Sequence, residues 1–149
     1  MIQNKREGLK LLCRSIDDIK VISAYLQDSI VVVRDIVFLK KNRTFIMIVN
    51  RFMWEDAEKG IFRKNKRIRC ALKFEDVIVV KSQNINQKNK KKFLECLAIK
   101  CVETIEKNYK INIFFSGNNI ITIISEAIHV VMEDLGKQWD VKHVPSHKI

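Results

Sequence analysis

The sequence predicts an α+β fold: an antiparallel meander of six to eight strands, curled into a roll or barrel, with one early and one C-terminal helix. Three observations carry that expectation. Runs of β-branched residues recur from Ile30 to Ile124 and are separated by short polar turns. Apolar residues repeat at helical spacing in only two places, one near each end of the chain. The chain has 149 residues and 47% hydrophobic content, which suits one globular domain over residues 1–149, with an irregular tail over about 140–149.

Leu9 to Cys13 reads as a short first strand. Ser15 is a good N-cap, Asp17 and Asp18 suit the positive end of a helix dipole, and Ile19, Ile22 and Leu26 form one apolar stripe. These predict a helix from about Ile16 to Gln27. A strand from Ile30 to Leu39 turns at Lys40 to Arg43 and returns through Thr44 to Asn50. Phe45, Met47 and Val49 share one face of the returning strand, and Ile46 and Ile48 the other, so both faces are expected to be covered.

Glu58 to Lys66 reads as a loop, and Arg67 to Phe74 alternates cleanly as a strand. Continued straight to Lys81, that strand would be about 50 Å long, so the chain must turn near Glu75 and Asp76. Val77 to Val80 is the next apolar run, and Ser82 to Lys92 a polar, lysine-rich loop. Phe93 to Val102, Tyr109 to Phe115 and Ile120 to Ile124 follow as strands, the last two joined by the turn residues Ser116 to Asn119. Ile120 to Met132 is β-branched enough to extend as a strand. Ile128, Val131, Met132 and Leu135 nevertheless match the helical template, with Gly136 at the stop, and the expectation is a helix from about Glu126 to Leu135. By analogy the pattern is similar to the pleckstrin-homology-like barrel, and a fold does not fix a function.

The segments SAYLQD (Ser23 to Asp28) and NRFMWE (Asn50 to Glu55) resemble motifs of the bacterial domain-of-unknown-function 2948 family. The resemblance extends through LKLL (Leu9 to Leu12), Phe74, Val77, LAI (Leu97 to Ile99) and DLGKQW (Asp134 to Trp139). It implies a small single-domain cytosolic bacterial protein of uncharacterised function, and no catalytic residue comes with it.

No apolar run approaches the ~20 residues of a membrane span, and MIQNKREGLKLLCRS has no secretory core, so the expected location is cytoplasmic, without a membrane partner. Cys13, Cys70, Cys96 and Cys101 include no C-x-x-C pair and read as small buried hydrophobes. His129, His143 and His147 lie near the C-terminus, and Pro145 separates the last two. There is no glycine-rich phosphate loop and no nucleophile–base pattern, so neither catalytic residues nor a metal or cofactor are expected.

Gln27, Asp28, Asn50, Arg51, Trp54 and Glu55 stand at both junctions of the helix–hairpin unit and form a candidate pocket. The alternative is structural: Gln27 and Asp28 satisfy backbone at the helix end, Arg51 pairs with Glu55, and Phe52 and Trp54 join the core. Net charge is +11, with 28 basic residues against 17 acidic ones. Arg63, Lys64, Lys66, Arg67, Arg69, Lys88, Lys90, Lys91 and Lys92 are candidate anion-binding residues, and strand counting expects the two loop clusters at one end of the domain. Lysine outnumbers arginine, which also fits compositional drift and solubility. Two functions remain: a noncatalytic interaction module for protein partners or self-association, through a sheet edge or the Phe52/Trp54 region, or an anion or nucleic-acid binder.

Overall fold

The computed structural model describes residues 8–57 and 66–141. The helix α1 spans Ile16–Leu26, and the Ser15 Oγ accepts from the Asp18 N–H at 3.1 Å, so the first turn is capped as its sequence indicates. Asp28, in the left-handed region at φ 64°, turns the chain out of the helix.

The described strands are β1 (Lys10–Cys13), β2 (Ile30–Leu39), β3 (Thr44–Phe52), β4 (Lys66–Phe74), β5 (Val77–Gln83), β6 (Phe93–Glu103), β7 (Tyr109–Phe115), β8 (Asn119–Ser125) and β9 (Val130–Asp140). A short helix α2 (Trp54–Ala57) follows β3. The nine strands form one sheet in the order β1-β9-β4-β3-β2-β6-β7-β8-β5, and every pairing is antiparallel. The sheet does not close on itself, so the barrel and the pleckstrin-homology-like analogy are not carried forward. β5, at one end of the order, nevertheless reaches the middle strands, where the Val77 N–H donates to the Arg43 carbonyl at 2.9 Å.

The nine strands exceed the six to eight expected, and three further expectations are corrected. The C-terminal helix is instead β9, whose Val130 and Met132 bury beside Phe74 and Leu72 of β4. Gly136, read as a helix stop, sits at φ 69° in the irregular stretch where Arg69 pairs with Leu135 but Arg67 pairs with Trp139. The turn at Glu75 and Asp76 is present, but β5 pairs with β8 and does not return beside β4.

The pairing register sorts side chains into rows. Leu11, Met132, Leu72, Met47 and Ile36 line up across five strands on the inner face, where Met132, Leu72 and Met47 have no exposure. The next row, Leu12, Val131, Lys73, Ile46 and Val37, therefore lies on the outer face. The third correction concerns that face. Ile46 and Ile48 are only partly buried, Leu12 is 57% exposed and Val37 43%. α1 meets the inner side of β3, where Tyr25 lies over Arg51.

β6 pairs with β2 only through Phe93–Glu95, and α1 packs beside its remaining length, with the Ile99 N–H donating to the Ser23 Oγ at 2.9 Å. A sheet edge is thus covered by a helix. Among the described residues no helix is long and apolar enough to cross a membrane.

Candidate functional site

β3 carries Arg51 onto the inner face, fully buried. A guanidinium there needs an acceptor for each of its five N–H groups. Nε donates to Asp134 Oδ1 at 2.7 Å and Nη2 to Asp134 Oδ2 at 2.6 Å. Glu55, one turn on in α2, takes Nη1 at 2.9 Å and Nη2 at 2.6 Å, and the Phe52 carbonyl accepts the last N–H at 3.3 Å. Burial alone would lower the Arg51 pKa, but hydrogen bonds to Asp134 and Glu55 reverse this and hold it above its ordinary value. Asp134 Oδ2 also accepts from the Leu9 N–H at 2.7 Å.

No donor of Arg51 is left for a ligand. The candidate pocket is filled by its own side chains: the Arg51–Glu55 pair expected of a structural role is present, and Asp134 is the partner the sequence reading missed.

The remaining candidates are also engaged. The Trp54 Nε1–H donates to the Gln27 carbonyl at 2.9 Å, and its ring meets Phe52 edge-on at 4.6 Å. Phe52 is fully buried and Trp54 half-buried, Phe52 being covered on its own side of β3 by Trp54 and Arg67. The Asp28 N–H donates to the Cys96 carbonyl at 2.8 Å, and the Asn50 carbonyl accepts from Arg67 Nη1 at 3.1 Å.

The basic candidates divide. Arg63 and Lys64 lie outside the described residues. Arg67 is half-buried across Phe52, bonded to the Asp28 and Asn50 carbonyls, and burial lowers its pKa against the opposing charges of Asp28 and Glu95. Arg69 stands on the outer face opposite Asn50, and the Lys66 carbonyl accepts from the Met53 N–H at 2.8 Å. Lys88, Lys90, Lys91 and Lys92 are exposed, and their loop runs along β2: Val33 N–H donates to Lys92 O at 2.9 Å and Arg34 N–H to Lys90 O at 3.0 Å. The loop therefore docks at mid-β2, with β3 and β2 between it and the start of β4. Lys66 and Arg67, the described members of the first cluster, therefore do not share an end with this loop, because β5 leaves for β8.

All four cysteines are free and buried. Burial pushes the Cys13 and Cys101 thiols up to about 11 and Cys96 to about 12, with Asp18 adding to the first and Asp28 to the last. The Cys70 thiol is raised further, by burial and then by Asp134. His129 Nδ1 lies 2.9 Å from Glu75 Oε2, while His143 and His147 lie outside the described residues.

The model of a family described as "Protein of unknown function (DUF2948)" matches residues 9–147. The chain belongs to that family. No curated protein and no solved structure matches it. In this DUF2948 chain four of the segments that suggested the family meet at one place. SAYLQD brings Tyr25 and the Gln27 carbonyl, NRFMWE brings Arg51, Trp54 and Glu55, DLGKQW brings Asp134, and LKLL brings the Leu9 N–H. Shared motifs here mark a structural junction of helix, hairpin and last strand.

Proposed function

We propose that the chain is a noncatalytic interaction module that associates with a second copy of itself through the outer sheet face. The observation that carries this is the outer row Leu12, Val131, Lys73, Ile46 and Val37, flanked by Ile48, Ala71 and Leu39. Leu12 and Val131 lie on one side of Lys73 and Ile46 and Val37 on the other, and apolar side chains grouped on an open face mark contact surfaces. In a chain of net charge +11, two copies meet with least repulsion where charge is balanced. Around this row Lys10 pairs with Glu133 at 3.6 Å and Lys73 with Glu75 at 2.9 Å.

Sheets stack face to face about 10 Å apart, and five strands span about 20 Å. That is a small contact by the standard of permanent dimers, so association is weak and concentration-dependent. The noncatalytic part is supported by the saturated guanidinium of Arg51 and by thiols that stay protonated at neutral pH. The test is methyl NMR over a concentration series: resonances of Leu12, Val37, Ile46 and Val131 should move while those of inner Ile22 and Ile113 stay. Concentration-independent outer methyls would refute the reading.

A second reading, anion binding, is favoured by one observation. From Val77 to Leu94 the chain has no acidic residue and carries Lys81, Lys88, Lys90, Lys91 and Lys92.

A further inference from the structure

We propose that the lysine-rich loop roofs a binding site for a small organic acid: one ring or a branched chain bearing a carboxylate. The proposal rests on the anion reading of this loop and names its ligand.

A cavity of about 210 Å³ lies between β2, β5 and β8. Its walls are Ile36, Phe38, Phe45, Val80 and Ile121. The backbone makes the space. β2 pairs with β3 at Val31–Val49 and again at Ile36–Met47, so four residues of β2 stand against Ile48 alone. Over that stretch β2 bonds the loop instead, through Val33 and Arg34. Asn84 Nδ2 donates to the Asn118 carbonyl at 2.8 Å, so the roof is tied to the β7–β8 turn as well as to β2, and the Asn89 N–H closes a turn within it on the Asn86 carbonyl at 3.1 Å. Ile85 turns inward from an otherwise polar segment to line the cavity.

The polar groups at this cavity are few, and only one of them is charged. Ser82, Gln87 and Lys90 line it. Gln87 Nε2 donates to Ser82 Oγ at 3.2 Å, which leaves the Ser82 O–H to donate elsewhere. An ammonium and a hydroxyl donor beside an apolar chamber select an anion with an apolar body, the general arrangement of small-molecule sites. A cavity of about 150 Å³ holds a benzene ring, so this one has room for a ring and a short side chain.

The test is calorimetric and NMR titration of the full chain with phenylacetate, and with phenylacetamide as its neutral counterpart. Phenylacetate should bind, shift Ile121 and Val80 resonances, and lose about tenfold in affinity in Lys90→Gln, as expected for one charge-assisted hydrogen bond. Phenylacetamide should bind more weakly and be indifferent to that change. Val80→Trp, which fills the chamber from a strand edge, should abolish both. Lys90→Gln changes an exposed side chain, so it decides the matter even if Val80→Trp does not fold. Phenylacetate that fails to bind, or binds equally in Lys90→Gln, overturns the proposal. If a short oligothymidylate then binds in a salt-sensitive way without touching Ile121, the anion reading stands alone. If neither binds, both fall.

Discussion

Arg51 and Asp134, 83 residues apart, make a bidentate ion pair with both side chains almost wholly buried. It ties β3 to β9, two strands that are not neighbours in the sheet. Arg51→Met leaves Asp134 and Glu55 as uncompensated carboxylates beside the core, and should destabilise by about 3–5 kcal/mol in denaturant unfolding. Replacing both members, Arg51→Met with Asp134→Leu, should recover part of that loss. A double variant as unstable as the sum of the singles would show that the pair is not coupled.

Gly8 packs against the same carboxylate. A Cβ there would fall 2.4 Å from the Asp134 Cβ and 2.7 Å from its Oδ2. Asp134 is held by Arg51 and cannot yield, so Gly8→Ala should lower the thermal midpoint. An unchanged midpoint would show that the N-terminal segment does not need this approach.

Trp54 tests the junction from the other side. Trp54→Ala should cost about 3 kcal/mol, the low end for an aromatic truncation because the ring is only half-buried. Trp54→Phe keeps the contact with Phe52 and loses only the bond to the Gln27 carbonyl, about 1 kcal/mol. Equal losses in the two variants would contradict that division.

The thiols set an alkaline limit on stability. Cys13, Cys96 and Cys101 keep their protons to about 11 or 12 when folded, against an ordinary value of 9.0. Below pH 9 both states are protonated and the contribution is fully present. As pH rises the unfolded chain ionises first, so stability falls from about pH 9 towards 11–12. The slope should be shallower in Cys96→Ala, and thiol reagents should titrate four cysteines only after unfolding.

Most of the fold was legible because its signals are local. The Ser15 cap, the stripe Ile19, Ile22 and Leu26, and the alternation of Ile68, Cys70, Leu72 and Phe74 each lie within one element. What was not legible is long-range. Val130, Met132 and Asp134 alternate as a strand should, but Ile128, Val131 and Leu135 also fit a helix, and only pairing with β4 and β1 decides between them. Asp134 as the partner of Arg51 has no spacing signature, and its presence in DLGKQW was the one available signal. The loop from Ser82 to Lys92 reads as polar, so the inward turn of Ile85 was hidden. β3 is apolar on both faces, which correctly marked it as central but not that its second face would stand open.

That open face is tested most directly by sedimentation velocity of the wild type over a concentration series, with Val37→Lys measured beside it. The expected result is a sedimentation coefficient that rises with wild-type concentration toward that of a dimer. Val37→Lys should remain monomeric throughout and unfold at the wild-type midpoint. A wild type that stays monomeric at every concentration, or a Val37→Lys variant that associates equally well, would contradict self-association through this face.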